Sequence, residues 1–341
     1  MLKTKNQKII AIIFIFIVLG GLYLILNSKQ ENSDLTSIRI GWQIPWATQG
    51  QLTQILKHTD ILKDNGLQGD FKGFSYGGPL NEAALAKEVD VIFTADQPAA
   101  TLISKSDDWV IIGRLMYNRV SLYVPPNSDI KNASDLRGKT VAMPFGAAAQ
   151  RMALKVEEEA GLDPEKDVKN INLGIYEQSD LVRDKNAKKW GEIDAMAGFD
   201  PTPAIFEEKG LIRYIATDKV VSLIVMSREF IVKNPGAPEK FLLSMREAYD
   251  FYRQDRTSAD NWFIEESKLN VSLGALKISD SVEPNLLVNS KEEIRLSFTP
   301  EDYLIMQEAA DFLYNNKMIT SKVNMSNHTD RSYLEKFQDE K

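Results

Sequence analysis

Residues 134–150, SDLRGKTVAMPFGAAAQ, decide the fold. Leu136-Arg137-Gly138-Lys139 turns the chain into Thr140-Val141-Ala142-Met143, a short apolar run bounded by turn residues and hence a strand. Pro144 ends that strand. Phe145-Gly146-Ala147-Ala148-Ala149 then opens a helix predicted to run to about Ala160, where Gly161 stops it. A helix that begins with glycine and three alanines carries backbone N–H groups with no bulk above them, and its dipole favours negative charge. Such an end can receive a small ligand.

Outward from this segment, strands and helices alternate, which argues for α/β architecture with mostly parallel sheets. Before it come strands at Ile38–Trp42, Phe71–Tyr76, Val89–Thr94, Trp109–Arg114 and Val120–Val124. A helix starts near Thr48 with Gln51 completing a capping box; a short one covers Asn81–Lys87, and another begins at Gln97 or Pro98. After it come a strand at Asn170–Ile175, a helix at Leu181–Trp190, a strand at Ile193–Gly198, a helix from Pro201, and strands at Ile212–Ala216 and Leu223–Ser227. From Pro238 the pattern is mainly helical: Glu239–Arg253, Ser258–Leu269 and Pro300–Asn316. In the first of these, Phe241, Met245, Ala248 and Tyr252 recur at helical spacing and form a core face. The acidic run Glu157-Glu158-Glu159 reads as a solvated helix face.

Composition excludes several functions. The net charge is −7 and the pI about 5.2, against the basic surface expected of a nucleic-acid binder. With no cysteine, disulfides, thiolate nucleophiles and cysteine metal sites are ruled out. His58 and His328 are the only histidines and lie far apart in sequence, which leaves little for a His-based triad or zinc site. No metal site and no cofactor is expected.

Residues 1–28 read as a signal peptide or a signal anchor: Lys3, Lys5 and Lys8 precede Ile9–Leu26, an uncharged run just long enough to cross a bilayer. No small-x-small cleavage site stands out, which favours an uncleaved anchor. The positive flank stays inside, so the rest of the chain lies outside the cytoplasm, held at the membrane by its N-terminal helix. Residues 29–37 are a polar linker and residues 331–341 an acidic tail.

In open α/β sheets, ligands sit beyond the carboxyl ends of strands. Four strand-to-helix corners, at Gln43–Thr48, Thr94–Pro98, Phe145–Ala149 and Phe199–Pro201, gather the candidate ligand-binding residues Trp42, Trp46, Asp96, Tyr117, Phe145, Gly146, Ala147, Phe199 and Asp200, with Asn118 beside them. Aromatic walls with a few polar groups suit a small-molecule site. Each has a structural alternative. Asp200 before Pro201, Asp96 and Thr48 fit helix caps; either tryptophan could be core, and Tyr117-Asn118 could be a turn.

The order and spacing of IRIGWQIPWATQGQL (38–52), GGPLNEAALAKEVDVIFTADQPAATLI (77–103), SDLRGKTVAMPFGAAAQ (134–150) and GEIDAMAGFDPTPAIFEEKG (191–210) resemble the periplasmic substrate-binding proteins of ABC importers. The likeness is to the nitrate, sulfonate and taurine group with its thiamine-precursor relatives, and covers about residues 38–320. It implies the two-lobed periplasmic binding protein fold of type II. Each lobe would be a mostly parallel sheet flanked by helices. Residues 38–124 plus 222–330 would form lobe one and 125–221 lobe two, with hinge crossovers near Tyr123-Val124-Pro125 and Val220-Val221-Ser222. It further implies a monomer without catalytic residues that captures a small-molecule ligand and delivers it to an ABC permease and its ATPase.

Asp96 and Asp200, if they face the cleft, would attract an ammonium, and the helix end at Gly146–Ala149 would attract an anion. A small amine-bearing or zwitterionic solute, taurine-like in layout, or a flat amine-bearing heterocycle is expected. A ligand-sensing ectodomain for a membrane partner, or an enzyme resembling a pyrimidine-precursor synthase, are the alternative functions.

Overall fold

The computed structural model of the protein describes residues 35–335. The apolar N-terminal run, most of the polar linker and the end of the acidic tail lie outside the described residues. No helix among the described residues is long and apolar enough to cross a membrane.

Eight strands form one sheet: β1 (Thr36–Gln43), β2 (Leu67–Phe74), β3 (Val91–Ala95), β4 (Trp109–Val124), β5 (Thr140–Met143), β6 (Lys169–Asn172), β7 (Ala195–Phe199) and β8 (Arg213–Ser227), in the order β2-β1-β3-β8-β4-β7-β5-β6. The helices of seven residues or more among the described residues are α1 (Gln49–His58), α2 (Gly77–Leu85), α3 (Asp96–Lys105), α4 (Ala148–Glu159), α5 (Ile175–Leu181), α6 (Thr202–Glu208), α7 (Ala237–Gln254), α8 (Arg256–Ser267), α9 (Leu273–Asp280) and α10 (Pro300–Asn315). β1, β2 and β3 pair in parallel at one end, and β5, β6 and β7 at the other. Between them β4 and β8 run antiparallel to each other along nearly their whole lengths.

These two central strands differ from the sequence expectation, which broke each into two. Tyr117-Asn118-Arg119 and Thr217-Asp218-Lys219 look like turns because they are polar. They lie where the strand pair passes from one half of the sheet to the other, and distant groups pair with the side chains of Tyr117, Arg119 and Lys219. Tyr117 donates to Asp302 at 2.5 Å, Arg119 to Asp200 at 2.9 Å and Lys219 to Glu301 at 3.0 Å. Neighbours change along the pair: β8 is bonded to β3 over Ser222–Met226, and β4 to β7 over Val120–Tyr123.

Two further expectations are corrected. The helix placed at Leu181–Trp190 occupies Ile175–Leu181 instead. Gly174 begins it directly after β6, and the charge-dense stretch 183–189 has no apolar face to bury. Glu157 is not on a solvated face: it is fully buried, receives a hydrogen bond from Asn170 at 2.9 Å, and burial pushes its carboxyl up to about 7.

One apolar core runs through both halves of the sheet, from Ile40 and Trp46 through Met116 and Val120 to Val141 and Phe199. The expected face of α7 lies in it, with Phe241, Met245, Ala248 and Tyr252 all at 0% exposure. α1 packs on α7 and α8, and Gly50 sets the distance to α8. A Cβ at Gly50 would lie 2.2 Å from the buried ring of Phe263. Overpacking a filled core typically costs about 1–3 kcal/mol. Gly50→Ala should therefore lower unfolding free energy by about that amount in urea denaturation.

Candidate functional site

The site is built where strands end. β1 runs into a tight corner, Ile44–Thr48, before α1. The corner is held by hydrogen bonds from the Gln43 amide to Gln49 Oε1 (2.7 Å), from the Trp46 amide to the Gln43 carbonyl (3.3 Å) and from the Gly50 amide to the Trp46 carbonyl (2.8 Å). The capping box at Thr48 and Gln51 is present. From the other half of the sheet β7 ends in Phe199. The Trp46 and Phe199 rings meet, with centroids 5.0 Å apart, and both are at most 2% exposed. This aromatic contact joins the first strand-to-helix corner to the last.

The buried polar side-chain atoms that have no hydrogen-bond partner among the described residues include Trp46 Nε1, both amide atoms of Gln97, Asn118 Oδ1, Arg151 Nε, Thr202 Oγ1 and Ser222 Oγ. The pairing brings them near one another. Ser222 is opposite Ala95, which leads into Asp96 and Gln97, and also opposite Met116. Val120, two residues past Asn118, is opposite Phe199. Arg151, in the first turns of α4, reaches Asp96 at 2.8 Å. Leaving buried groups unpaired costs free energy, which makes these neighbouring residues the candidates for receiving polar atoms from a ligand.

Both aspartates are neutralised from within. Asp96 is paired with Arg151, both at most 2% exposed, and Asp200 with Arg119 at 2.9 Å. Burial raises the Asp96 carboxyl against the pull of Arg151, and raises Asp200 to about 6 against the pull of Arg119. Asp200 also caps α6, accepting the Ala204 amide at 3.2 Å. Neither offers the free carboxylate on which the expectation of an amine-bearing ligand rested.

The remaining candidates divide. Ala147 is buried at the start of α4, as is the apolar Ala148-Ala149 pair that follows. Trp42 is packed into the core under Lys57, whose Nζ lies 5.6 Å from its ring. Tyr117 belongs to a different core cluster from Trp46, its hydroxyl tied to Asp302 and Arg295. Phe145 is 40% exposed and Gly146 is exposed, with its amide donated to Gln150 at 2.8 Å, so neither joins the Trp46–Phe199 contact. Gln97, Arg151, Thr202 and Ser222 were not singled out from the sequence. Their signals were a single hydroxyl in the apolar run Val220–Met226 and a cation in an alanine-rich helix start. A separate cavity of about 600 Å³ lies between Tyr176, Phe206 and Leu269, and none of its lining residues carries an orphan buried polar atom.

The family model described as NMT1/THI5 like matches residues 76–259. The chain belongs to the NMT1/THI5-like family. A relative of this NMT1/THI5-like chain in Escherichia coli (strain K12), described as an aliphatic sulfonates-binding protein, is 23% identical over 298 residues, covering 85% of this chain and 87% of the relative. The alkanesulfonate-binding protein SsuA from Xanthomonas axonopodis pv. citri, solved bound to MOPS, superposes with a TM-score of 0.70 at 18% identity. That match covers 88% of this chain and 99% of SsuA. A mutant of the desulfurization enzyme DszB, solved in complex with biphenyl-2-sulfinic acid, superposes with a TM-score of 0.64 at 12% identity, covering 90% of this chain and 99% of DszB. The fold of this NMT1/THI5-like chain is thus that of periplasmic binding proteins, and since an enzyme shares it, fold alone does not separate binding from catalysis.

Removing one partner of a buried ion pair strands the other charge, at a cost of about 3–5 kcal/mol. Arg151→Met should lose stability on that scale in urea denaturation, and Arg151→Met with Asp96→Asn should recover most of it.

Proposed function

We propose that the protein is the extracytoplasmic substrate-binding component of an ABC importer, and that it takes a small organosulfonate at the Trp46–Phe199 corner. The observation that carries this reading is the set of buried, unpartnered polar atoms around an aromatic pair. A sulfonate presents only acceptor oxygens. Trp46 Nε1, Gln97 Nε2, Arg151 Nε and the hydroxyls of Thr202 and Ser222 are the donors that suit it. The first amides of α4 add a favourable dipole. The organic part of the ligand would lie on the two rings. A zwitterion such as taurine fits the same frame if its ammonium is taken by the neutral acceptors Asn118 Oδ1 and Gln97 Oε1, since Asp96 and Asp200 already have arginines.

Two lobes that close on ligand follow from the same reading. The change of strand neighbours supports a boundary at residues 116–120 on β4 and 219–222 on β8, which puts residues 121–218 in the second lobe and the first crossover a few residues before the expected Tyr123–Pro125. Trp46 belongs to the first lobe and Phe199 to the second, so their contact belongs to the closed form. Captured ligand would pass to a membrane permease driven by its ATPase. The apolar run at Ile9–Leu26 supports export and, if uncleaved, tethering near that permease. The sulfonate-binding relative supports the ligand class and the binding role.

Titration calorimetry against alkanesulfonates, taurine, nitrate and matched alkyl alcohols should give saturable binding with sulfonates and none with the alcohols. A hydrogen bond to a charged group contributes roughly 1.5–3 kcal/mol, so Trp46→Phe should weaken sulfonate binding by about tenfold or more. Conversion of the bound compound to a product, or silence toward every sulfonate, would overturn the reading.

A further inference from the structure

Behind the Trp46 corner, two buried carboxylates share one hydroxyl. Tyr252 Oη lies 2.5 Å from Asp280 Oδ2 and 2.8 Å from Asp260 Oδ1. Thr48 Oγ1 donates to Asp280 Oδ1 at 2.8 Å, and Gln51 Nε2 to Asp260 Oδ1 at 3.2 Å. All five side chains are at most 5% exposed. Tyr252 has a single hydroxyl hydrogen, so it can serve only one of the two carboxylate oxygens. With both acids ionised, the other contact would be oxygen against oxygen without a proton between them. One more proton completes a directional chain: Thr48 donates to Asp280, the Asp280 carboxylic acid donates to Tyr252, and Tyr252 donates to Asp260, which Gln51 also serves.

We infer that Asp280 is held as the neutral acid in the native protein and is a positioning residue for the ligand corner, fixing Thr48 and through it Trp46. Thr48 needs such a hold. Its φ of 63° is a conformation that a β-branched residue rarely adopts, and it sits two residues from Trp46. The neighbouring Asp260 charge favours this placement of the proton. From α8, Arg256 lies over the Tyr252 ring at 5.4 Å and favours ionisation of both acids. From β4, Arg114 is already taken by Glu283 in a fully buried pair, and from α7 the Tyr249 hydroxyl is taken by the Leu115 carbonyl. Burial pushes Asp280 up to about 7, against the hydrogen bonds from Tyr252 and Thr48, and raises Asp260 as well.

The sign of the pH dependence follows. An unfolded aspartate titrates near 3.9, so between about pH 4 and 7 the native chain keeps a proton that the unfolded chain has lost. The stabilisation is fully present below about pH 4 and is lost as pH rises through about 7. An asparagine at 280 reproduces the neutral acid, with an amide N–H toward Tyr252 and a carbonyl toward Thr48.

The test is urea unfolding from about pH 4 to 8 for the wild-type protein, Asp280→Asn and Asp260→Asn, with no ligand present. Relative to Asp280→Asn, the wild-type folding constant should fall by up to about tenfold per pH unit between about pH 4 and 7. Asp260→Asn removes the neighbouring charge and lets Tyr252 donate to an ionised Asp280, so its slope should lie between those of the wild type and Asp280→Asn. An Asp280→Asn protein that retains the wild-type slope, or is destabilised at about pH 4, would overturn the inference, as would an Asp260→Asn slope flatter than that of Asp280→Asn. The effect on the corner rests on the binding reading above and has its own readout. In calorimetry with an alkanesulfonate, wild-type affinity should fall as pH rises from about 6 to 9, while Asp280→Asn stays flat. Absence of any sulfonate binding would sink the ligand reading and leave the unfolding result to decide the proton; binding that is equally pH-independent in both proteins would overturn the positioning role.

Discussion

The antiparallel pairing of β4 with β8 is the constraint on which the rest depends. Each strand serves both halves of the sheet: while they stay paired, β8 takes β3 on its other edge at one end and β4 takes β7 on its other edge at the opposite end. Everything that carries polar atoms into the cleft is referred to this pair. Asn118 and Ser222 are on it, Gln97 follows the strand next to β8, and Phe199 ends the strand next to β4. Register irregularities between Ile111 and Gly113 and between Arg114 and Met116 bend β4 just before the halves part. The fully buried Arg114–Glu283 pair, whose carboxylate also accepts the Tyr117 amide at 2.7 Å, ties that bend to the C-terminal segment.

Electrostatics in the cleft follow from how its acids are spent. Asp96 and Asp200 look, in sequence, like groups offered to a ligand. In the fold each is paired with an arginine from another element, and Asp200 caps α6. What remains for a ligand is a set of neutral donors and acceptors and one edge of Arg151. In the proposed site such a set would select by hydrogen-bond geometry rather than by a full countercharge, which suits an anion whose charge is spread over several oxygens.

Much of this was readable from the chain because local signals coincide with tertiary roles. Turn residues bounding Thr140–Met143, the capping box at Thr48, and the helical spacing in α7 are short-range patterns, and the fold keeps them. The aromatic ends at Trp46 and Phe199 could be named because strand ends are where α/β sheets bind. Longer-range relations were hidden. Tyr117–Arg119 and Thr217–Lys219 imitate turns, since the partners of Tyr117, Arg119 and Lys219 are far away in sequence. Glu157 imitates a surface acid in an acidic run, although Asn170 waits for it beneath. Phe145 mirrors Phe199 in sequence, yet Gly146, at a φ of 81°, and the bond from the Phe145 amide to Asn172 leave its ring at the surface. Ser222, Thr202, Gln97 and Arg151 are ordinary residues in ordinary elements. Only the absence of partners within the fold reveals them.

The central claim is that a sulfonate is held between Trp46 and Phe199, with the Trp46 indole N–H as a donor. The most direct measurement is a proton–nitrogen correlation spectrum of the indole groups, of which the chain has five, with the Trp46 signal assigned through Trp46→Phe. Titration with an alkanesulfonate should move the Trp46 indole proton strongly downfield, while the signal of the core residue Trp42 stays nearly in place. An unmoved Trp46 signal at saturating, calorimetrically verified ligand would contradict the claim and place the ligand elsewhere on the protein.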